Sequence, residues 1–166
     1  MHNLYKLGMT NEKNSDNAGV KIAPPLVFNL IAGAALALDY FLFDTMGGWP
    51  GWLLYPGILL AAWSFISFGY MQRFFNNHNT AFEPWETTSS IIKTGPFSYS
   101  RNPSYLFSCA GPIGFGLIFG SLITLLSFIP ALLIVYYTAV KKEEAYLETK
   151  FGQEYIDYKK AVRRWI

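Results

Sequence analysis

Charge is what this sequence has least of. Only 14% of its 166 residues are Asp, Glu, Lys or Arg, against roughly a quarter in ordinary soluble domains. Between Asn102 and Val140 there is no charged residue at all. Cysteine is almost missing too: Cys109 stands alone, which excludes an internal disulfide and reads as a small buried packing residue. The net charge of +2 is small and dispersed, so nucleic acid is excluded as a partner. No cleavable signal peptide is expected, because the first twenty-odd residues are polar where an apolar h-region would have to lie. A chain this short forms one domain, 1–166, which inserts by its own helices.

What is present in abundance is apolar and aromatic surface, 52% and 18% of residues. The charge-free run Asn102–Val140 is clamped between Arg101 and Lys141-Lys142-Glu143-Glu144. As helix it is about 58 Å long, nearly two crossings of a hydrocarbon core of about 30 Å. It therefore reads as a tight transmembrane hairpin, Pro103–Phe119 and Leu122–Val140 around Gly120-Ser121. Its two polar flanks return to one membrane face. Gly111-Pro112 and Pro130 lie inside these spans and predict kinks.

Upstream, residues 1–22 form a polar tail, expected to be loosely ordered, which ends at Pro24-Pro25, a helix-start signal. A first span follows over Leu26–Phe43, with Asp39 its one charge. Gly47-Gly48-Trp49-Pro50-Gly51 is a turn, and a second span covers Trp52–Met71. Residues 73–101 are polar. All thirteen Lys and Arg residues fall before the first span, in the central segment or after the fourth span, and neither short turn carries one. Positive residues collect on the cytoplasmic side, so both termini are predicted there. The fold class is all-α integral membrane: four transmembrane helices as two hairpins, plus a C-terminal amphipathic helix. In that tail Leu147, Phe151, Tyr155, Tyr158, Val162 and Trp165 recur at spacings of three and four. Its apolar face is free to lie on the bilayer or to pack on the central segment, with a break near Gly152.

Two motifs at the polar flanks can carry chemistry. In Gly95-Pro96-Phe97-Ser98-Tyr99-Ser100-Arg101-Asn102-Pro103-Ser104-Tyr105, the residue before a proline is biased away from helix, so the chain turns and enters the third span. Arg101 then sits at headgroup depth beside backbone amides and the Tyr105 hydroxyl, where an ordinary interfacial anchor is the plainer reading. Glu143-Glu144 is not needed for orientation, to which acidic residues contribute little. Such a pair can bind an ammonium or ribose hydroxyls, or simply pair with Lys141 or Lys142 in a solvated first turn. His78 reads as a loop residue and is set aside.

Together, Gly95–Tyr105, the apolar hairpin and Glu143-Glu144-x-x-Leu147-x-x-x-Phe151-Gly152-x-x-Tyr155-x-x-Tyr158 resemble the isoprenylcysteine carboxyl methyltransferases, which belong with the membrane phospholipid methyltransferases. The resemblance covers residues 89–165, a family-like cofactor-binding core. It implies methyl transfer from S-adenosyl-L-methionine, with the acceptor arriving from the bilayer. Carried over by position, the cofactor contacts are Ser89, Ser90, Ile91, Ile92, Phe97, Asn102, Pro103, Ser104, Tyr105 and Glu143. The catalytic candidates are Arg101 and Glu144; no metal is implied. Asn102 replaces the family's usual histidine and cannot titrate near neutral pH. Phe97 replaces a tyrosine, and Ala139 stands where eukaryotic members place a substrate-binding arginine.

The expected function is thus S-adenosylmethionine-dependent methylation of a lipophilic or lipid-anchored acceptor, with carboxylate O-methylation favoured. Arg101 would hold a carboxylate acceptor; for an amine, Glu144 would accept the proton. Two other readings stand beside it, a sterol-type reductase using NADPH and a non-catalytic four-helix scaffold. Small size and the lack of retention signals point to a bacterial inner membrane, or to the endoplasmic reticulum in a eukaryote.

Overall fold

The computed structural model describes residues 16–166, and the described residues are helices joined by turns and loops, with no strand among them. Helix α1 (Pro24–Leu38) starts on the proline pair, whose missing N–H falls where a first turn has no acceptor to offer. It runs on through a π-helical turn, Asp39–Phe43. A 3-10 turn at Gly51–Leu53 leads into α2 (Leu54–Asn77). The charge-free run forms α3 (Pro103–Ser108), α4 (Ala110–Phe119), α5 (Leu122–Leu126) and α6 (Phe128–Val135). A second π-helical turn, Tyr136–Val140, joins α6 to α7 (Lys141–Phe151), and α8 (Gln153–Ala161) follows.

Three continuous helical stretches are long and apolar enough to cross a membrane: Pro24–Phe43, Gly51–Asn77 and Leu122–Phe151. Pro103–Phe119 is apolar but shorter, near the lower limit of a spanning helix. The fold is that of an all-α integral membrane protein, as the hydropathy predicts. At 30 residues Leu122–Phe151 is about 45 Å long, more than the hydrocarbon needs, and it leaves the apolar layer at Lys141, where its charges begin. The expected irregularities are present: helical bonding changes at Cys109 and at Ser127, each three residues before Pro112 or Pro130. A proline ring clashes with the carbonyl four residues back and removes one donor, which breaks the helix there.

The first two helices do not close on each other as a simple hairpin. α2 packs along α3 and α4, while α1 packs on α6 and touches α4 and α5. The α2–α4 contact is backbone against backbone: a Cβ at Gly114 would lie 2.6 Å from the Ala61 nitrogen and 2.7 Å from the Gly57 oxygen. Small residues let membrane helices approach this closely. Large side chains such as Phe41, Leu59, Phe65 and Ile66 face outward and are exposed, the arrangement a lipid solvent requires.

At the turn end of the bundle the two connections meet. The Gly47 N–H donates to the Phe119 carbonyl at 3.2 Å. Asp39 is fully buried, and its carboxylate accepts from the Thr45 amide at 3.1 Å, the Thr45 hydroxyl at 2.6 Å and the Ser121 hydroxyl. Gly120, at φ +64°, turns the chain where a Cβ would strike Gly47.

At the polar end the C-terminal helices fold back. Gly152, at φ +54°, breaks the amphipathic helix at the predicted place. The apolar face packs inward: Tyr155 and Tyr158 are buried, the Tyr158 hydroxyl donates to the Phe97 carbonyl at 2.7 Å, and Lys93 pairs with Glu154 at 2.8 Å. The central segment is therefore the partner of this face. Residues 1–15 of the polar tail lie outside the described residues. Residues 16–22 depart from the expectation of a loose tail. Val20 is buried in the core with Phe28, Val135 and Val140, and Asp16 pairs with Lys150 at 2.6 Å. Ala18 packs against the same core, and the Tyr146 hydroxyl donates to the Asp16 carboxylate at 3.0 Å.

Candidate functional site

Where α7 leaves the membrane it meets the loop after α2, the start of α3 and the face of α8, and these elements enclose a cavity of about 250 Å³. Ser90, Ile91, Ile92, Phe97, Arg101, Asn102, Pro103, Ser104, Tyr105, Glu143 and Glu144 all line it. These are eleven of the twelve residues expected from sequence. Ser89 is the exception: its amide donates to Thr80 Oγ1 at 3.0 Å and its hydroxyl to the Asn79 carbonyl at 2.6 Å, so it braces the loop instead. His78, its ring bonded to the Phe74 carbonyl at 2.8 Å, lies outside the cavity lining.

The two glutamates divide the site between them. Successive residues on a helix point about 100° apart, and the π-helical turn Tyr136–Val140 shifts the register of α7 so that both face protein. Glu143 looks towards α3, where the Tyr105 hydroxyl donates to its Oε1 at 2.6 Å. Glu144 looks towards the C-terminal segment. Arg164 donates to it from Nε at 3.0 Å and from Nη2 at 2.8 Å, a bidentate pair, the strong form of guanidinium recognition. Arg101 approaches Glu144 Oε1 through Nη2 at 3.4 Å. Neither glutamate pairs with Lys141 or Lys142.

Arg101 is held from behind. Its N–H donates to the Arg163 carbonyl at 2.9 Å, while the Ser100 hydroxyl and the Asn102 side-chain amide both donate to the Arg164 carbonyl at 3.1 Å. Asn102 at the family's histidine position thus ties the arginine loop to the tail. The Arg101 side chain is only 8% exposed, yet its Nε and Nη1 have no hydrogen-bond partner among the described residues. A buried guanidinium with two unmade bonds is an unusual expense.

The carboxylates on the other wall are equally unbalanced. Neither Glu143 nor Glu83 has an ion-pair partner among the described residues. Burial pushes Glu143 up to about 7, with the neighbouring charge of Glu144 adding to the rise and the Tyr105 hydrogen bond opposing it. Glu143 retains some exposed surface because it lines a cavity. Burial also raises Glu83, and Glu86 reinforces it. On α8, burial lifts the Tyr158 hydroxyl to about 12, so it stays protonated and donates.

Several lining residues were not singled out from sequence. Arg164 reads there as one more positive-inside residue. Glu83 and Phe75 sit in the central segment without periodicity, and Met71 looks like an ordinary span residue. The one available signal was the tail's amphipathic spacing, which placed Tyr155 and Tyr158 on a common face.

Comparison with known proteins follows the same stretch of chain. Over 77 residues it is 38% identical to the protein-S-isoprenylcysteine O-methyltransferase of Saccharomyces cerevisiae, covering 46% of this chain and 32% of that protein. The chain thus spans about a third of the length of this relative. Over 47 residues it is 43% identical to an uncharacterized protein of Haemophilus influenzae, covering 28% of this chain and 75% of that one. No solved structure matches it. Residues 49–154, more than half of the sequence, match the phospholipid methyltransferase family; they include α2, the central segment, the apolar hairpin and both glutamates, and this chain belongs to that family.

Proposed function

We propose that the protein is a membrane-embedded S-adenosylmethionine-dependent methyltransferase acting on a lipophilic or lipid-anchored acceptor, with O-methylation of a carboxylate favoured. One observation carries the reading: a single cavity holds two carboxylates without cationic partners among the described residues, Glu83 and Glu143, and a buried guanidinium, Arg101, with two donors unpartnered there. Those charges suit a cationic donor and an anionic acceptor brought to one place. S-adenosylmethionine supplies, when bound, a methyl group already activated on a sulfonium. The residues present fit it: Glu143 and Glu83 would hold its positive charges, and Ile91, Ile92 and Phe97 offer apolar walls beside Ser90, Asn102, Pro103 and Ser104.

The chain's own residues then have modest tasks, chiefly alignment and exclusion of water. Tyr105 orients the Glu143 carboxylate through its hydrogen bond. Arg101 would hold the acceptor carboxylate by a charge-assisted pair. A carboxylate acceptor is already ionised and needs no base. An amine would need one, and both oxygens of Glu144, the sequence's candidate, are taken up by Arg164; this favours the carboxylate. Ser67, Phe68 and Met71 of α2 also line the cavity, so a lipid chain would reach it from the membrane side. The yeast relative, named for O-methylation of an S-isoprenylcysteine, supports the same class. On the distribution of positive residues this end faces the cytoplasm with both termini, in a bacterial inner membrane or, in a eukaryote, the endoplasmic reticulum.

Isothermal titration of the detergent-solubilised protein with S-adenosylhomocysteine tests the reading. Binding is expected, with Glu143→Ala weakening it at least about tenfold, roughly 1.4 kcal/mol. Unchanged affinity in Glu143→Ala would remove that residue from the site, and displacement of S-adenosylhomocysteine by NADPH would favour a reductase.

A further inference from the structure

We propose that Arg164 is a positioning residue: by occupying both oxygens of Glu144 it keeps the Arg101 guanidinium free to take an anionic group, the carboxylate of a lipophilic acceptor, in the cavity. This rests on the function proposed above for the cavity, and it assigns a role to a residue that neither motif contains.

The geometry is one of two guanidiniums competing for one buried carboxylate. Arg164 holds Glu144 with two hydrogen bonds, at 3.0 and 2.8 Å. Arg101 has a single approach at 3.4 Å. The three groups together carry one positive charge in excess, and the excess falls on Arg101, whose Nε and Nη1 are buried and unpartnered. Glu144 and Arg101 side chains are 10% and 8% exposed, so water does little to relieve either. Were Arg164 absent, Glu144 would lose both of its short donors, and the nearest guanidinium able to replace them is Arg101. A fork-to-fork pair between those two would cancel the charge the acceptor needs.

Arg164 is built for the task. Its ring-facing guanidinium lies 5.2 Å from the centre of the Tyr136 ring, a cation–π contact at the π-helical turn that aims α7. Its own carbonyl is gripped by Ser100 and Asn102, the two residues flanking Arg101. The same residue therefore fixes the arginine loop through its backbone and takes Glu144 through its side chain.

A plain structural strap would share those backbone bonds, so the test turns on charge. Three full-length variants, Arg164→Met, Glu144→Gln and the pair combined, are assayed in detergent with S-adenosylmethionine and N-acetyl-S-farnesylcysteine as the acceptor probe. Arg164→Met should raise the KM for the probe by about tenfold and change kcat less. Adding Glu144→Gln should restore KM to within about threefold of the unmutated protein, because no carboxylate remains to capture Arg101. A combined variant no better than Arg164→Met, or an unchanged KM in Arg164→Met, overturns the proposal. A second arm does not depend on methyl transfer: laurate, with dodecanol as the neutral control, should raise the unfolding temperature of the unmutated and combined proteins and fail to do so in Arg164→Met. Laurate responding in this pattern with no methylation of the probe would sink the proposed function and uphold the role of Arg164. Equal laurate shifts in all variants would overturn that role.

Discussion

The bundle buries charge at both ends, and the two ends treat it differently. At the turn end Asp39 is enclosed by the Thr45 amide and hydroxyl and by Ser121, and Ser121 is itself bonded to Thr124 at 2.8 Å. These bonds join the two turns at that end and satisfy one another. At the polar end Arg101, Glu83 and Glu143 face a cavity with donors unmade and carboxylates unpaired. A satisfied buried polar network holds a fold together; an unsatisfied one is left open for a partner. The contrast separates architecture from chemistry within one small protein.

That separation is broken most severely in the bundle between the ends. Gly114→Leu should lower the stability of the detergent-solubilised protein by about 3 kcal/mol or more, since its Cβ would lie 2.6 Å from the Ala61 backbone nitrogen. Thermal unfolding measures it, and a shift of a degree or less would show that α2 and α4 do not meet there. Asp39→Ala should cost about 1–3 kcal/mol of stability while leaving S-adenosylhomocysteine affinity unchanged. A large loss of affinity in the folded variant would erase the distinction between the ends. Tyr105→Phe, at the polar end, should do the reverse, weakening that affinity severalfold, about 1 kcal/mol, with little change in unfolding temperature.

The smallest effect expected is one of pH. With its carboxyl raised to about 7, Glu143 is neutral below that value and charged above it. Its attraction for a cationic ligand is therefore present above about pH 7 and lost as the pH falls through it. S-adenosylmethionine affinity should rise a fewfold between about pH 6 and pH 8, and Glu143→Gln should flatten that rise. An identical slope in the two proteins would assign the titration to another group.

Much of the cavity lining was legible because its residues come in two short motifs at the ends of one apolar run. Ser89 shows the limit. Its neighbours Ser90, Ile91 and Ile92 line the cavity, but Ser89 is bonded to Thr80 and Asn79, nine and ten residues back in the chain, and nothing in the local pattern announces those partners. Asn102 lines the cavity, while its partner, the Arg164 carbonyl, lies 62 residues away in sequence. The docking of Val20 and Asp16 went unseen because the few apolar residues scattered through the polar tail make no periodic signal.

By itself the sequence determined the membrane architecture: where the apolar runs lie, where they break at Pro112 and Pro130, and which end gathers arginine and glutamate. These follow from transfer of each residue into lipid and from backbone hydrogen bonding along one helix, properties that neighbours in sequence decide. How the charges are shared depends on packing between distant segments. Glu143 and Glu144 are adjacent in sequence and equivalent in composition, and one faces a tyrosine on the cavity wall while the other is gripped by two arginines. The rotation of about 100° per residue along α7 and a tail that folds back over the site make that difference.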